Sequence, residues 1–171
     1  SYNCNLPNAK KIITNCIKSI SKNIKILIIE NSKKFDHEYH LRKKFPKINI
    51  ICSGDNLGYG KGNNLGLKLV KTNYALILNP DIICEKNFFN NLSKIISKKV
   101  NFNIIGCQYS KNKIFMPAGY FDTNKNYNFK KKFYENKINS LSKVEWVTGC
   151  SMLINLKKLK KKDIFDKNYF L

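Results

Sequence analysis

The sequence is poor in arginine, acidic residues and tryptophan. Arg42 is the only arginine and Trp146 the only tryptophan, and 11 Asp and Glu stand against 32 Lys and Arg, so the formal net charge is +21. Nucleic-acid sites usually rely on arginine for bidentate contacts to bases and phosphates. Because the charge comes from lysines scattered along the whole chain, we predict no nucleic-acid partner. A basic module that binds nucleic acid or an anionic membrane stays the alternative function.

Long apolar runs and paired cysteines are also lacking. The longest apolar runs, residues 26–29 and 74–78, have the length of a strand and fall far below the roughly 20 residues that cross a bilayer. The six cysteines form no C-x-x-C pair, which predicts buried free thiols in a reducing compartment. No signal peptide is visible, although the chain opens on Ser1. We therefore predict a cytoplasmic protein, and the positive charge allows peripheral contact with the inner face of the membrane.

The sequence does contain an alternation of helix and strand patterns. Helical spacing of apolar residues and β-branched runs define the predicted elements. The predicted helices cover residues 6–20, 36–44, 63–71 and 88–96, with a short lysine-rich helix before Phe165. The predicted strands cover residues 24–29, 48–52, 74–78, 104–107, 144–147 and 151–154, with a hairpin around residues 114–120. This order predicts one α/β domain over residues 1–171, a Rossmann-like α/β/α sandwich with a mostly parallel central sheet.

Ligands of such a fold bind beyond the carboxyl ends of the strands, so three turns become candidate sites: residues 30–32, 54–64 and 79–81. The glycine-rich turn is not a P-loop, because Asp55 and Gly62 stand where that motif needs Gly and then Ser or Thr. It is not a dinucleotide fingerprint either, because Asn63 follows where the third glycine belongs. A sugar nucleotidyltransferase would need a glycine-rich basic signature after its first strand, and residues 3–9 contain none.

The three turns occur in a characteristic order with two further segments. Residues 55–66 (D-N-L-G-Y-G-K-G-N-N-L-G) precede the strand at 74–78 and the sequence Asn79-Pro80-Asp81. Residues 28–32 (I-I-E-N-S) contain the first turn. The two further segments are residues 1–3 (S-Y-N) and the stretch of residues 146–154 (W-V-T-G-C-S-M-L-I) followed by 165–171 (F-D-K-N-Y-F-L). This arrangement resembles family 2 glycosyltransferases of the GT-A fold, especially the rhamnosyltransferase-like group. The resemblance covers almost the whole chain, and it carries five motifs in the same order.

The resemblance implies a site for a nucleotide-sugar donor and a site for an acceptor. The donor-binding residues it implies are Tyr2, Asn3, Glu30, Asn31, Asn56, Gly58, Gly62, Asn63, Asn64, Asn79 and Asp81. The acceptor-binding residues it implies are Trp146, Thr148 and Gly149. Asp81 would also hold a divalent cation, Mg²⁺ or Mn²⁺, although the family often has Asp where this chain has Asn79 and usually has Asp where it has Glu30. Simpler roles also suit these residue types, since Asn, Asp and Gly favour turns and Trp146 suits a core.

The resemblance further implies an inverting transfer to a saccharide or lipid-linked acceptor, of the kind used in bacterial surface polysaccharide synthesis. In the family, the carboxylate that deprotonates the acceptor follows the Phe-Leu pair, so we expect that base after Leu171. The start of the first strand is likewise expected before Ser1. We therefore expect these 171 residues to be truncated at both ends and to bind a nucleotide with little or no turnover.

Overall fold

The computed structural model describes residues 8–107, 109–111, 114–116, 141, 143–159 and 163–169 of the chain. The helices are α1 (Ala9–Ser19), α2 (Glu38–Lys44), α3 (Gly58–Leu69) and α4 (Phe88–Ser97). The strands are β1 (Leu27–Glu30), β2 (Asn49–Cys52), β3 (Tyr74–Leu78), β4 (Ile104–Gly106), β5 (Tyr109–Lys111), β6 (Ile114–Met116) and β7 (Ser151–Asn155). Helices and strands alternate through α4, which confirms the predicted α/β fold class.

The strands pair in three groups. Strands β1 and β2 are parallel, as predicted, and α2 forms the crossover between them. Strand β7 lies between β3 and β4 and runs antiparallel to both. Strands β5 and β6 form an antiparallel pair, so the observed hairpin begins at Tyr109 and not at Ile114, while residues 117–120 lie outside the described residues. All five residues of β7 are buried, as expected for a central strand covered on both faces.

Helices cover both faces of the sheet formed by β3, β7 and β4. Met152 and Ile154 of β7 pack with Leu67 of α3. Leu153, which points the other way because strand side chains alternate, packs with Leu92 of α4. The order helix, sheet, helix is the predicted sandwich.

Helix α3 also reaches the other sheet. A Cβ atom at Gly66 would lie 3.1 Å from Cγ1 of Ile29, so the glycine lets the helix approach β1 closely. Ile28, on the opposite face of β1, packs with Ile13 of α1 and Leu41 of α2. Helix α3 is therefore the element that touches both β1 and the β3–β7 pair.

A cavity of about 780 Å³ lies between the two sheets. Residues 24–29, which lead into and form most of β1, line one side, and residues 70–78, which end in β3, line the other. In the described part of the chain, β1 pairs only with β2 and β3 pairs only with β7, so each has one edge without a strand partner. The cavity thus separates the two strands that carry the first and third candidate turns.

Three local predictions are wrong. Helix α3 begins at Gly58 instead of Asn63, so part of the predicted glycine turn is helical. Residues 144–147 form no strand: Trp146 makes an isolated β-bridge, and Val147 packs over Gly106, with its Cβ 2.6 Å from where a glycine Cβ would stand. Residues 156–158 form a turn where the lysine-rich helix was predicted, and residues 160–162 lie outside the described residues.

The prediction of buried free thiols is confirmed for some of the described cysteines. Cys16 and Cys107 are buried free thiols as predicted, but Cys52 is exposed on β2. Over the stretches that the structure describes, every helix is too short or too polar to cross a lipid bilayer.

Candidate functional site

The turn after β1 is buried and hydrogen-bonded. Glu30 is fully buried, and the Ser32 hydroxyl donates a hydrogen bond to its Oε1 atom. Ser53, just after β2, donates its backbone N–H and its hydroxyl to the Glu30 carbonyl, both at 2.9 Å. Buried polar groups need such partners to offset their loss of water. The ends of β1 and β2 are therefore tied together beneath the first candidate turn.

Asn31 connects the first candidate turn to the glycine-rich turn. Its Oδ1 accepts from the Leu57 N–H at 3.0 Å, and its Nδ2 donates to the Gly58 carbonyl at 3.1 Å. The same Nδ2 lies 3.4 Å from Oδ1 of Asn56, which in turn accepts from the Gly58 N–H at 3.1 Å. Asn31 is 5% exposed, so these bonds form away from water. The predicted donor residues Asn31, Asn56 and Gly58 are thus brought into one network.

Gly58 begins α3 with a φ of 77°, a left-handed conformation that favours glycine. Gly62 and Asn63 follow inside the helix, both buried. The Asn63 side chain donates to the Tyr59 carbonyl one turn earlier, at 2.9 Å. Asn64 is also buried, and its amide bonds to the backbone of residues 164 and 165. The side chains of Asn63 and Asn64 contact other protein residues, so their predicted contacts with a sugar donor stay predictions.

The turn after β3 is held by its backbone. The Asn79 N–H donates to the Cys150 carbonyl at 2.8 Å, and the Asn79 carbonyl accepts from the Ile82 N–H at 3.2 Å. The Cys16 thiol lies 3.7 Å from the same carbonyl. Burial, and then the neighbouring Cys84 and Asp81, raise the pKa of this thiol to about 12, so it is a neutral donor near pH 7. The Asn79 backbone is thus fixed while Asp81 remains exposed.

The predicted acceptor residues lie on a turn that touches both β3 and α3. The Tyr59 hydroxyl donates to the Gly149 carbonyl, and a Cβ atom at Gly149 would lie 2.9 Å from that hydroxyl. Burial, and then Cys150, raise the pKa of Tyr59 to about 12, so the phenol keeps its proton. The Thr148 hydroxyl lies 3.5 Å from the Cys150 sulfur. Trp146 is half-buried just before this turn.

Two groups of predicted residues are therefore assembled, and one residue was missed. Asn31, Asn56 and Gly58 form one network, while the backbone of Asn79 meets the turn at residues 148–150. Tyr59 links that turn to α3, yet sequence reasoning gave it no role. Its place between two glycines of the quoted motif was the available signal. Tyr2 and Asn3 lie outside the described residues, so their predicted contacts with the base stay predictions.

Asp81 offers one carboxylate for the predicted cation. It makes no hydrogen bond or ion pair with the residues that the structure describes. Within those residues, no cluster of three or more His, Cys, Asp or Glu side chains could hold a metal ion. Magnesium at nucleotide sites commonly takes one or two carboxylates and completes its shell with water and phosphate oxygens. The site therefore fits a cation that arrives with a diphosphate, and it does not fit a cage built by protein alone.

An α/β fold with polar turns at its strand ends defines a class of proteins that bind ligands there. Comparison with protein-family models matches residues 1–161 to glycosyl transferase family 2. The match covers most of the 171 residues, so the chain belongs to this glycosyltransferase family. The family generally uses a divalent cation, and it acts on a nucleotide-sugar donor and an acceptor. A search among curated proteins gave no match.

Proposed function

We propose that this chain carries the donor site of an inverting glycosyltransferase, which moves a sugar from a nucleoside diphosphate to a saccharide or lipid-linked acceptor. The observation that carries the proposal is the bridge from Asn31 to Leu57 and Gly58. It holds the start of α3 beside the end of β1. The positive end of the helix dipole favours phosphate. A diphosphate placed there would be next to the first candidate turn.

The other predicted donor residues fit around that position. Glu30 and Asn31 lie on the turn proposed to contact the base and ribose, with Tyr2 and Asn3 proposed to border the base. Gly58 and Gly62 lack side chains and so permit close approach of the donor to the backbone. Asn79 is proposed to contact the sugar, and Asp81 is proposed to hold the cation. The exposed carboxylate of Asp81 supports this role, because nothing in the described protein competes for it.

The proposed reaction is a single displacement. The acceptor hydroxyl oxygen forms a bond to the anomeric carbon, while the bond from that carbon to the diphosphate oxygen breaks. The hydroxyl proton passes to a carboxylate base, which the family resemblance leads us to expect after Leu171. When bound, Mg²⁺ or Mn²⁺ would neutralise charge on the departing diphosphate.

The proposed acceptor site is the turn that contains Thr148 and Gly149, with Trp146 beside it. Its support is geometric: Cys150 accepts a hydrogen bond from the Asn79 N–H, so the turn lies against the proposed sugar-binding position. An aromatic face is well suited to pack on a sugar ring. We propose that Trp146 supplies that face.

The finer identity follows from the resemblance. We propose a rhamnosyltransferase-like or other hexosyltransferase type, acting in bacterial surface polysaccharide synthesis at the cytoplasmic side of the membrane. The net charge of +21 supports peripheral contact with anionic lipid.

A thermal-shift experiment tests the proposed donor site. UDP, dTDP and GDP would each be added with Mn²⁺ to the folded chain, with the matching nucleosides as controls that lack phosphate. A ligand at about 100 times its Kd stabilises by roughly 2.7 kcal/mol, which corresponds to a rise of about 5–10 °C in Tm for a protein of this size. We expect at least one diphosphate to reach that rise and its nucleoside to give little. No shift with any diphosphate, but a shift with nucleic acid or anionic vesicles, would favour the basic binding module instead.

A further inference from the structure

Residues 163–166 run along α3 in the opposite direction to the helix. Near the helix end, Lys68 Nζ lies 2.8 Å from Asp163 Oδ1. Near its start, a Cβ atom at Gly60 would lie 3.2 Å from Cβ of Phe165 and 3.5 Å from the Asp166 carbonyl. The segment therefore runs toward the first turn of α3. The residues after Phe165 follow at the same end of the helix as the glycine-rich turn.

Asn64 is the main polar attachment of this segment. Its Oδ1 accepts from the N–H groups of Ile164 and Phe165, both at 3.0 Å. Its Nδ2 donates to the Phe165 carbonyl at 2.8 Å. An amide oxygen has two lone pairs, and both are used here. The side chain is 4% exposed, so the three bonds are shielded from water and little capacity remains for a bound donor.

The apolar side of the attachment is Phe165. Its ring meets the Tyr59 ring edge to face, with centroids 5.5 Å apart and planes at 88°. Gly60 supplies the space for Phe165, because any side chain at that position would press on it. Tyr59 also holds the turn at residues 148–150 through the Gly149 carbonyl. One end of α3 thus supports the glycine-rich turn, the proposed acceptor turn and the segment.

We propose that Asn64 is a positioning residue: it fixes residues 163–169 to α3, so that nucleotide binding at the glycine-rich turn stabilises that segment. The identity of the ligand, a nucleoside diphosphate, rests on the proposed function. The connection between α3 and the segment rests on the hydrogen bonds of Asn64. A ligand that binds the start of α3 suppresses local opening of the helix. The segment bonded to the same helix then opens less often as well. Binding of the donor would in this way hold the chain that follows Phe165 at the donor site.

Hydrogen exchange of the amides of residues 164–169 tests the proposal in wild type, Asn64→Ala and the matched control Asn91→Ala. Asn91 is exposed on α4, so its removal changes the same chemical group without touching the segment. Without ligand, we expect exchange in the segment to rise on the order of tenfold or more in Asn64→Ala, since three hydrogen bonds are lost. The control should match wild type. Unchanged exchange in Asn64→Ala would overturn the proposal.

The second arm adds the nucleoside diphosphate and Mn²⁺. In wild type and in Asn91→Ala the ligand should slow exchange in residues 164–169. In Asn64→Ala that protection should disappear, because the three hydrogen bonds that tie the segment to α3 are lost. Protection that persists in Asn64→Ala would overturn the proposal, as would a loss of affinity above tenfold with unaltered segment exchange. The latter result would make Asn64 a donor ligand.

Two controls keep the outcomes separable. If wild type binds no diphosphate, the proposed function fails, yet the ligand-free comparison still decides whether Asn64 holds the segment. If Asn64→Ala does not fold, Asn64→Asp replaces it, because its oxygens still accept from the two N–H groups but no donor remains for the Phe165 carbonyl. Ligand-free exchange in Asn64→Asp should exceed that of wild type. Equal exchange would contradict the role of the amide.

Discussion

The first and third candidate turns are built in opposite ways. Around Glu30 and Asn31 the side chains are buried, and they bond to Ser32 or to the glycine-rich turn, while Ser53 bonds to the Glu30 backbone carbonyl. At the end of β3, only the backbone of Asn79 is fixed, and the Asp81 carboxylate is exposed. The side chains of the first turn are already bonded to other protein groups, whereas the Asp81 carboxylate at the third turn is accessible to a ligand.

This difference has a physical reason. A turn that contacts the nucleotide by shape gains affinity from being rigid, because ordering costs are paid in folding and not in binding. A carboxylate that holds a cation must instead keep its oxygens free for the metal. We therefore predict that substitutions in the first turn act on stability, whereas substitution of Asp81 acts on metal-dependent binding alone.

The largest stability effect is expected for Asn31→Ala. The change removes two hydrogen bonds to the start of α3 and a longer one to Asn56, and it leaves the Leu57 N–H without its partner. We expect a loss of about 2–4 kcal/mol in the free energy of unfolding. Urea denaturation followed by circular dichroism measures it. Asn91→Ala on the exposed face of α4 is the control, with a change within about 0.5 kcal/mol. A loss in Asn31→Ala no larger than in the control would contradict the structural role assigned to the first turn.

A smaller effect is expected for Gly149→Ala, on the turn that contacts Asn79. The new Cβ would lie 2.9 Å from the Tyr59 hydroxyl and 3.2 Å from its Cζ atom. We expect a cost of about 1–3 kcal/mol from this overpacking. Tyr59→Phe alone should cost about 0.5–1.5 kcal/mol for the lost hydrogen bond to the Gly149 carbonyl.

The double variant that combines Gly149→Ala with Tyr59→Phe tests whether the two residues interact. With the hydroxyl gone, the alanine at position 149 has more room, so the combined cost should fall below the sum of the two single costs. Thermal or urea unfolding of the four proteins gives the coupling. Strictly additive costs would mean that Tyr59 does not hold the turn at residues 148–150.

Much of the fold could be predicted because apolar patterns are local. The bounds of β3 follow from its continuous apolar run, and β1 and β2 appear within a few residues of their predicted places. The start of α3 was missed because Gly58, Gly60 and Gly62 read as a turn. In the structure all three glycines are buried within the helix, and Gly60 packs closely against Phe165.

The site was harder to predict because its contacts are distant in sequence. Asn64 bonds to residues about 100 positions later in the sequence, and no local sequence pattern predicts such a partner. Tyr59 and Gly149 are separated by 90 positions. The sequence could identify Asn31, Asn56 and Gly58 as candidate donor residues, but it could not show that Asn31 bonds directly to the glycine-rich turn.

The smallest stability effect and the most direct test belong to Asp81. Asp81→Asn keeps the shape of the side chain and removes its charge, and Asp36→Asn is a matched control on another exposed carboxylate. Both variants should unfold within about 0.5 kcal/mol of wild type. Calorimetric titration of a nucleoside diphosphate, with and without Mn²⁺, then measures binding in all three proteins.

We predict that Mn²⁺ strengthens binding at least tenfold in wild type and in Asp36→Asn, and that this gain vanishes in Asp81→Asn. Metal-independent binding should be equal in the three proteins, since the nucleotide-facing turn is unchanged. An Mn²⁺ gain that survives in Asp81→Asn would contradict the assignment of the third turn as the cation site.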